Sequence, residues 1–183
     1  NATKENNFLP DFSSVPKNLL EKAAVIYVCS PSNPQGSIAS ENYWVNLLNL
    51  AEKFNIRIFA DECYSEIYRH QQPIGILEVG KKIKANPERI VSFHSLSKRP
   101  NVAGLRSGFV ASGPENIKAM KRLRAYAGAP LPLPLQRVAE QLWKDEKHVE
   151  INRNLYNEKF KIADKNEARL INNKKGNVIL VKL

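Results

Sequence analysis

Two cysteines, eight glycines and no apolar run longer than a strand occur in these 183 residues. Cys29 and Cys63 stand in no CxxC or other metal-ligand spacing, so no metal centre is expected and each thiol reads as a small buried hydrophobe. The longest apolar stretches, Ala23 to Cys29 and Ile179 to Val181, fall far short of the roughly 20 residues that cross a bilayer, and no membrane partner is expected. The opening NATKENNFLP has neither a basic n-region nor an apolar core, which leaves a cytoplasmic protein as the expectation. Repeats and low-complexity tracts are lacking as well. Acidic residues are in deficit, 18 against 28 Lys and Arg, for a net charge of +10. The excess cations are scattered, with short groups only at Lys81 to Lys84, Lys121 to Arg124 and Lys174 to Lys175. That pattern makes a solvated basic surface and not a phosphate track, so no nucleic-acid partner is expected.

What is present suits one sizeable core, since 43% of the residues are hydrophobic in a chain of single-domain length. Residues 1–20 are polar and proline-punctuated, with Phe8, Leu9 and Phe12 as isolated anchors, and read as an extended approach. Ala23 to Cys29 is a continuous, β-branched run ended by SPSNPQG, the pattern of a buried strand closed by a turn. From Ser40, a natural N-cap, Trp44, Leu47, Leu48, Ala51 and Phe54 recur on one helical face. IRIFADE follows as a second strand. Strand, helix and strand at these lengths form a right-handed βαβ unit with parallel strands, so both strands end at the same edge. A linker holding Gly75, Gly80 and Pro87 leads to a third strand, Arg89 to His94. GLRSGFVAS reads as a fourth, and GPENIKAMKRLRAY as a helix with Pro114 in its first turn. Past the proline-rich GAPLPLPLQ, residues 135–170 are helical in composition with a break near Lys144 to Lys147, and Val178 to Leu183 is a last apolar run. The expected class is α/β: a mostly parallel sheet with flanking helices over residues 1–134. A long helix within 135–183 then leads into a second, incomplete domain.

Ligands of open parallel sheets bind beyond the carboxyl ends of the strands. Three turns lie there: Ser30 to Gly36, Asp61 to Tyr64 and Ser95 to Lys98. They offer an amide at Asn33, a carboxylate at Asp61 with a phenol at Tyr64, and an amine with two hydroxyls at Lys98, Ser97 and Ser95. Arg106 adds a cation eight positions after Lys98. Each residue also has an ordinary reading. Lys98 could be a solvated cation, Asp61 a turn cap or a partner of Arg57, and Asn33 an Asx turn. Tyr64 could be a half-buried aromatic, the serines ST-turns, and Arg106 half of a surface ion pair. His94 reads as a core or edge histidine. A ligand using the whole set would carry an aldehyde for the lysine, an anion for the arginine and serines, and a protonated atom facing the aspartate. Pyridoxal 5′-phosphate has all three.

The segments SPSNPQG, ADECYSEIY and SLSKRPNVAGLRSG resemble, in order and spacing, the signature segments of the class I/II aminotransferases, which are fold-type I pyridoxal-phosphate enzymes. HSLSKRPNVAGLRSGF and GAPLPLPLQ are most similar to the succinyldiaminopimelate aminotransferase group. The resemblance implies a lysine Schiff base at Lys98, whose amine, once freed, moves a proton between substrate and cofactor. It implies that Asp61 faces the pyridine nitrogen and that Asn33 and Tyr64 donate to the phenolic oxygen O3′. Ser95 and Arg106, with Ser97 as a weaker candidate, would hold the phosphate. It further implies an amino acid and a 2-oxo acid as substrates, and a homodimer.

The likeness covers the central part of a family member. The family's glycine-containing phosphate loop and ring-stacking aromatic precede that part, and its carboxylate-gripping arginine follows it. The expectation is therefore a piece that by itself binds the cofactor poorly and does not transaminate. Two other functions share these motifs: a pyridoxal-phosphate lyase or synthase, and the aminotransferase-like sensing domain of a transcription regulator.

Overall fold

A computed structural model describes residues 2–128 and 130–171. The apolar run Val178 to Leu183 lies outside the described residues. The chain enters through a single helical turn, α1 (Lys17–Leu20), where the sequence suggested only an extended approach. Strand β1 (Val25–Cys29), helix α2 (Glu41–Phe54) and strand β2 (Arg57–Asp61) then form the βαβ unit. Ser40 caps α2 as expected, its hydroxyl accepting the Tyr43 amide at 3.1 Å. Asn55 ends the helix in the left-handed conformation, φ 56°, which asparagine tolerates better than most residues.

Strand β3 (Ile90–Ser95) pairs parallel with β2, as β2 does with β1, and β4 (Gly108–Ser112) closes the order β1-β2-β3-β4 antiparallel to β3. Between β2 and β3 the expected linker is in fact a helix, α3 (Ile76–Lys82), which buries Ile76, Val79 and Gly80. Its glycine concealed it in the sequence. A Cβ at Gly80 would stand 2.4 Å from Ile90 Cδ1, so the gap in the side-chain row is what lets α3 lie against β3. Helix α4 (Pro114–Tyr126) follows β4 and begins at its proline. The helical region beyond breaks at Asp145, between α5 (Leu133–Lys144) and α6 (Glu146–Ile171). Among the described residues no helix is long and apolar enough to cross a membrane.

The two sheet faces differ. Ile26, Val28, Ile58, Ala60 and Ile90 point to one, where Trp44, Leu47, Leu48 and Ala51 of α2 and Ile76 and Val79 of α3 bury them. On the other, Tyr27, Phe59 and Phe93 form a row with ring centroids 5.3 and 5.4 Å apart, and Tyr27 is 73% exposed. The start of this second face is closed: Val91, opposite Phe59, is fully buried, and α4 meets the sheet there, Arg57 Nε donating to Asn116 Oδ1 at 2.8 Å and Asn116 Nδ2 to Ser112 Oγ at 2.9 Å. Asp61 therefore does not take Arg57 as its partner.

Candidate active site

Because β1, β2 and β3 run parallel, their exits share one edge, and two backbone bonds extend the sheet past it. The Ser30 amide donates to the Asp61 carbonyl, and the Glu62 amide to the Phe93 carbonyl, each at 3.0 Å. The three turns are thus stitched side by side. The first is stiffened by its own hydroxyls: Ser30 Oγ accepts the Ala39 amide at 2.9 Å and Ser32 Oγ the Ser37 amide at 3.0 Å. Both of its prolyl bonds, Ser30–Pro31 and Asn33–Pro34, are cis.

Side chains from all three turns meet. Asn33 Nδ2 donates to Tyr64 Oη at 3.1 Å, and Lys98 Nζ lies 5.6 Å from the centroid of the Tyr64 ring. Burial pushes the Tyr64 phenol up, and the Asn33 bond opposes this. Asp61 is exposed and accepts the Cys63 amide on Oδ1 at 3.1 Å, the geometry of an Asx turn. Ser95 Oγ accepts the Ser97 amide at 3.1 Å, and Ser97 stands half-buried on the same turn. Arg106 is exposed at φ 55°, and its Nη1 donates to the Ala103 carbonyl of its own loop at 3.0 Å. Its neighbours pin it beside that turn: the Leu96 amide donates to Ser107 O, and Gly108 pairs with Ser95. Only glycine fits at 108, where a Cβ would stand 2.4 Å from His94 O. The thiols flank Asp61. Burial raises Cys29 and pushes Cys63 up to about 12, with the Asp61 charge acting in the same direction on both.

A polar layer under the edge was not legible in the sequence. Glu62, 3% exposed, accepts the Ile76 amide on Oε1 at 3.0 Å and the Ser92 hydroxyl on Oε2. His94 Nε2 lies 2.9 Å from Ser92 Oγ, and its ring stacks on Phe109 with centroids 4.8 Å apart. The sequence left a core or an edge histidine open; His94 is half-buried, and burial holds its pKa below the usual histidine range. Helix α6 also reaches the site. Asn152 Nδ2 donates to the Lys98 and Arg99 carbonyls, both at 3.1 Å, and Arg153 pairs with Glu66 at 2.6 Å. The first contact spans 54 residues and the last 87, so no local pattern announces either.

An amine, a carboxylate, a phenol with its amide partner, two hydroxyls and a guanidinium are the donor set that pyridoxal 5′-phosphate needs. Tyr64 and Asn33 are bonded to each other, which brings an amide and a phenol from two turns together. By that chemistry the residues fit the group.

The family model described as Aminotransferase class I and II matches residues 1–171, and the chain belongs to that family, whose members depend on pyridoxal phosphate. Among curated relatives, the LL-diaminopimelate aminotransferase of Dehalococcoides mccartyi is 35% identical over 138 residues, 74% of this chain and 34% of that protein. Among solved structures, an aminotransferase from Neisseria meningitidis is 40% identical, with a TM-score of 0.81 over 85% of this chain and 40% of that one. A probable N-succinyldiaminopimelate aminotransferase from Thermus thermophilus, at 24% identity and a TM-score of 0.79, shows the same fold. The chain spans about a third of the length of the curated relatives it matches.

Proposed function

We propose that this chain supplies the cofactor-binding edge of a pyridoxal-phosphate aminotransferase that moves an amino group from an amino acid to a 2-oxo acid. The observation that carries this is the meeting of Asn33, Tyr64 and Lys98, from three separate turns, within one cluster. When bound, the cofactor supplies an aldehyde for amines and a ring that withdraws electrons from the substrate carbon. Lys98 is the amine that holds the cofactor and, when free, carries the proton. Asp61 holds a negative charge at the ring nitrogen, Asn33 and Tyr64 donate to O3′, and Ser95, Ser97 and Arg106 bind the phosphate. Catalytic roles thus fall to Lys98, Asp61 and Tyr64.

The substrate class follows the names of the relatives, so LL-diaminopimelate is the first amino donor to test. A cytoplasmic homodimer, with a second domain beginning at residue 135, completes the reading.

Titrating the purified chain with pyridoxal 5′-phosphate tests it. A visible absorption band should appear, borohydride should fix one cofactor to Lys98, and Lys98→Ala should give neither result with an unchanged melting midpoint. A band that survives Lys98→Ala would refute the assignment. A weak, Lys98-dependent band without amino transfer is the result expected of this chain, which spans about a third of the length of its curated relatives.

A further inference from the structure

Helix α6 is fastened to the backbone of the candidate nucleophile itself. Asn152 is 6% exposed and donates to two consecutive carbonyls, of Lys98 and Arg99. The loop it grips is otherwise held from within. The Leu96 amide bonds Ser107 O, the Val102 amide bonds Leu96 O, and Leu96 and Pro100 are fully buried. Around Asn152 the attachment widens. Val149 is fully buried, Arg153 binds Glu66 through both its carboxylate and its carbonyl, and Arg99 returns from the loop to Glu146 and the Leu142 carbonyl. An asparagine that bridges two part-buried carbonyls deprives both of a fixed donor when it is lost, and a side chain projecting from residue 98 takes its origin from that backbone.

We propose that Asn152 is a positioning residue: it locks the main chain of Lys98 to α6, so that the aim of the Lys98 amine and the seat of α6 are one coupled variable. This rests on the proposed cofactor role of Lys98 and adds its control from a helix that begins 48 residues further along the chain. Coupling of this kind is reciprocal. Cofactor bound at Lys98 must tighten α6, and loosening α6 at Asn152 must weaken the cofactor's hold.

The test uses the full chain with Asn152→Ala, and Arg69→Gln as control. Arg69 pairs with Asp164 at 2.9 Å, further along α6 and away from the Lys98 carbonyl. Without cofactor, hydrogen exchange at the Leu96, Ser97 and Val102 amides should quicken roughly tenfold in Asn152→Ala, about the factor one buried hydrogen bond contributes. It should stay within about twofold in Arg69→Gln. With pyridoxal 5′-phosphate, the apparent Kd read from the visible band should rise about tenfold in Asn152→Ala only. In the unmutated chain the cofactor should also slow exchange across residues 149–156. If Asn152→Ala does not fold, Asn152→Ser, a shorter donor, should show the same pattern at smaller size. A normal loop and a normal Kd in the Asn152 variants would overturn the proposal, as would equal effects in Arg69→Gln. A missing band in the unmutated chain would instead refute the cofactor reading, and the cofactor-free exchange would still decide the lock.

Discussion

One face of this sheet is closed and the other is largely open, and the candidate site lies at the rim of the open one. The closed face carries Ile26, Val28, Ile58, Ala60 and Ile90 under α2 and α3, nearly all out of contact with water. The open face carries Tyr27, Phe59 and Phe93, and it shares its strand positions with Cys29, Asp61 and Ser95, whose side chains alternate to the same side. Apart from Val91, which is fully buried on the second side, the buried apolar side chains of these three strands lie on one side and the candidate function on the other. Stability should respond to changes on one side and ligand binding to changes on the other.

The largest test of that division is Trp44→Ala. The indole is fully buried and its N–H donates to the Ile74 carbonyl at 3.2 Å, so its removal leaves a cavity and an unsatisfied acceptor. A loss of about 3–5 kcal/mol in chemical denaturation is expected. A loss below about 1 kcal/mol would show that the closed face does not carry the fold. Next comes Gly80→Ala. Alanine gains about 1 kcal/mol of helix propensity in α3, but its methyl must displace Ile90 Cδ1, and overpacking costs about 1–3 kcal/mol. The clash should win, with a net loss of about 1 kcal/mol. A stabilised variant would mean that α3 does not lie tightly on β3.

These two sites also show what could be read in advance. Trp44 was legible because α2 repeats its apolar residues at helical spacing behind a serine cap, a signal that depends on neighbours in sequence. The parallel strands followed from the βαβ lengths, and with them the shared edge of the three turns. Helix α3 was hidden because seven residues give too short a period, and because Gly80 is a packing requirement that looks like a break. The Glu62, Ser92 and His94 layer joins positions 30 residues apart, and Asn152 reaches Lys98 across 54. Such contacts are set by how the elements dock, which no window of sequence contains. Asp61 was read both as a turn cap and as a ring partner. The fold displays the cap, and the ring partner stands as part of the proposed function.

A smaller effect should test the closed side by pH. Burial raises the Glu62 carboxyl above the usual range, with Asp61 adding to the effect and the Ser92 and Ile76 bonds opposing it. The folded chain therefore holds this proton more tightly than the unfolded one, and stability falls as pH rises from the ordinary carboxylate value through the raised one. His94 has the opposite sense. Its pKa is lowered by burial, so the stability it contributes is full above the ordinary histidine value and is lost as pH falls below it. Glu62→Gln keeps an acceptor for the Ile76 amide and abolishes only the first dependence. Its melting midpoint should match the parent near pH 4 and exceed it at pH 8 by about 2–4 °C, the shift that about 1 kcal/mol gives at this chain length. The acid-side decline from His94 should persist. Equal midpoints at both pH values would place Glu62 in contact with water and remove it from the closed side.

Tyr27→Thr should do least. Threonine keeps the strand preference of β1, and Tyr27, at 73% exposure, has only the edge of the Phe59 ring to lose. Cross-strand aromatic pairs contribute about 0.2–1 kcal/mol, and so open a pair belongs at the lower end, so the expected loss is below about 0.5 kcal/mol at any protein concentration. Concentration is the informative variable. If the row Tyr27, Phe59 and Phe93 is covered in solution by a second copy of the chain, the parent's midpoint will rise with concentration and Tyr27→Thr will abolish that rise, because association adds stability by mass action. A loss approaching that of Trp44→Ala would erase the distinction between the faces, since the ring row would then be a second core completed by another molecule. A loss of a few tenths, independent of concentration, leaves the open face bare and the division between fold and site intact.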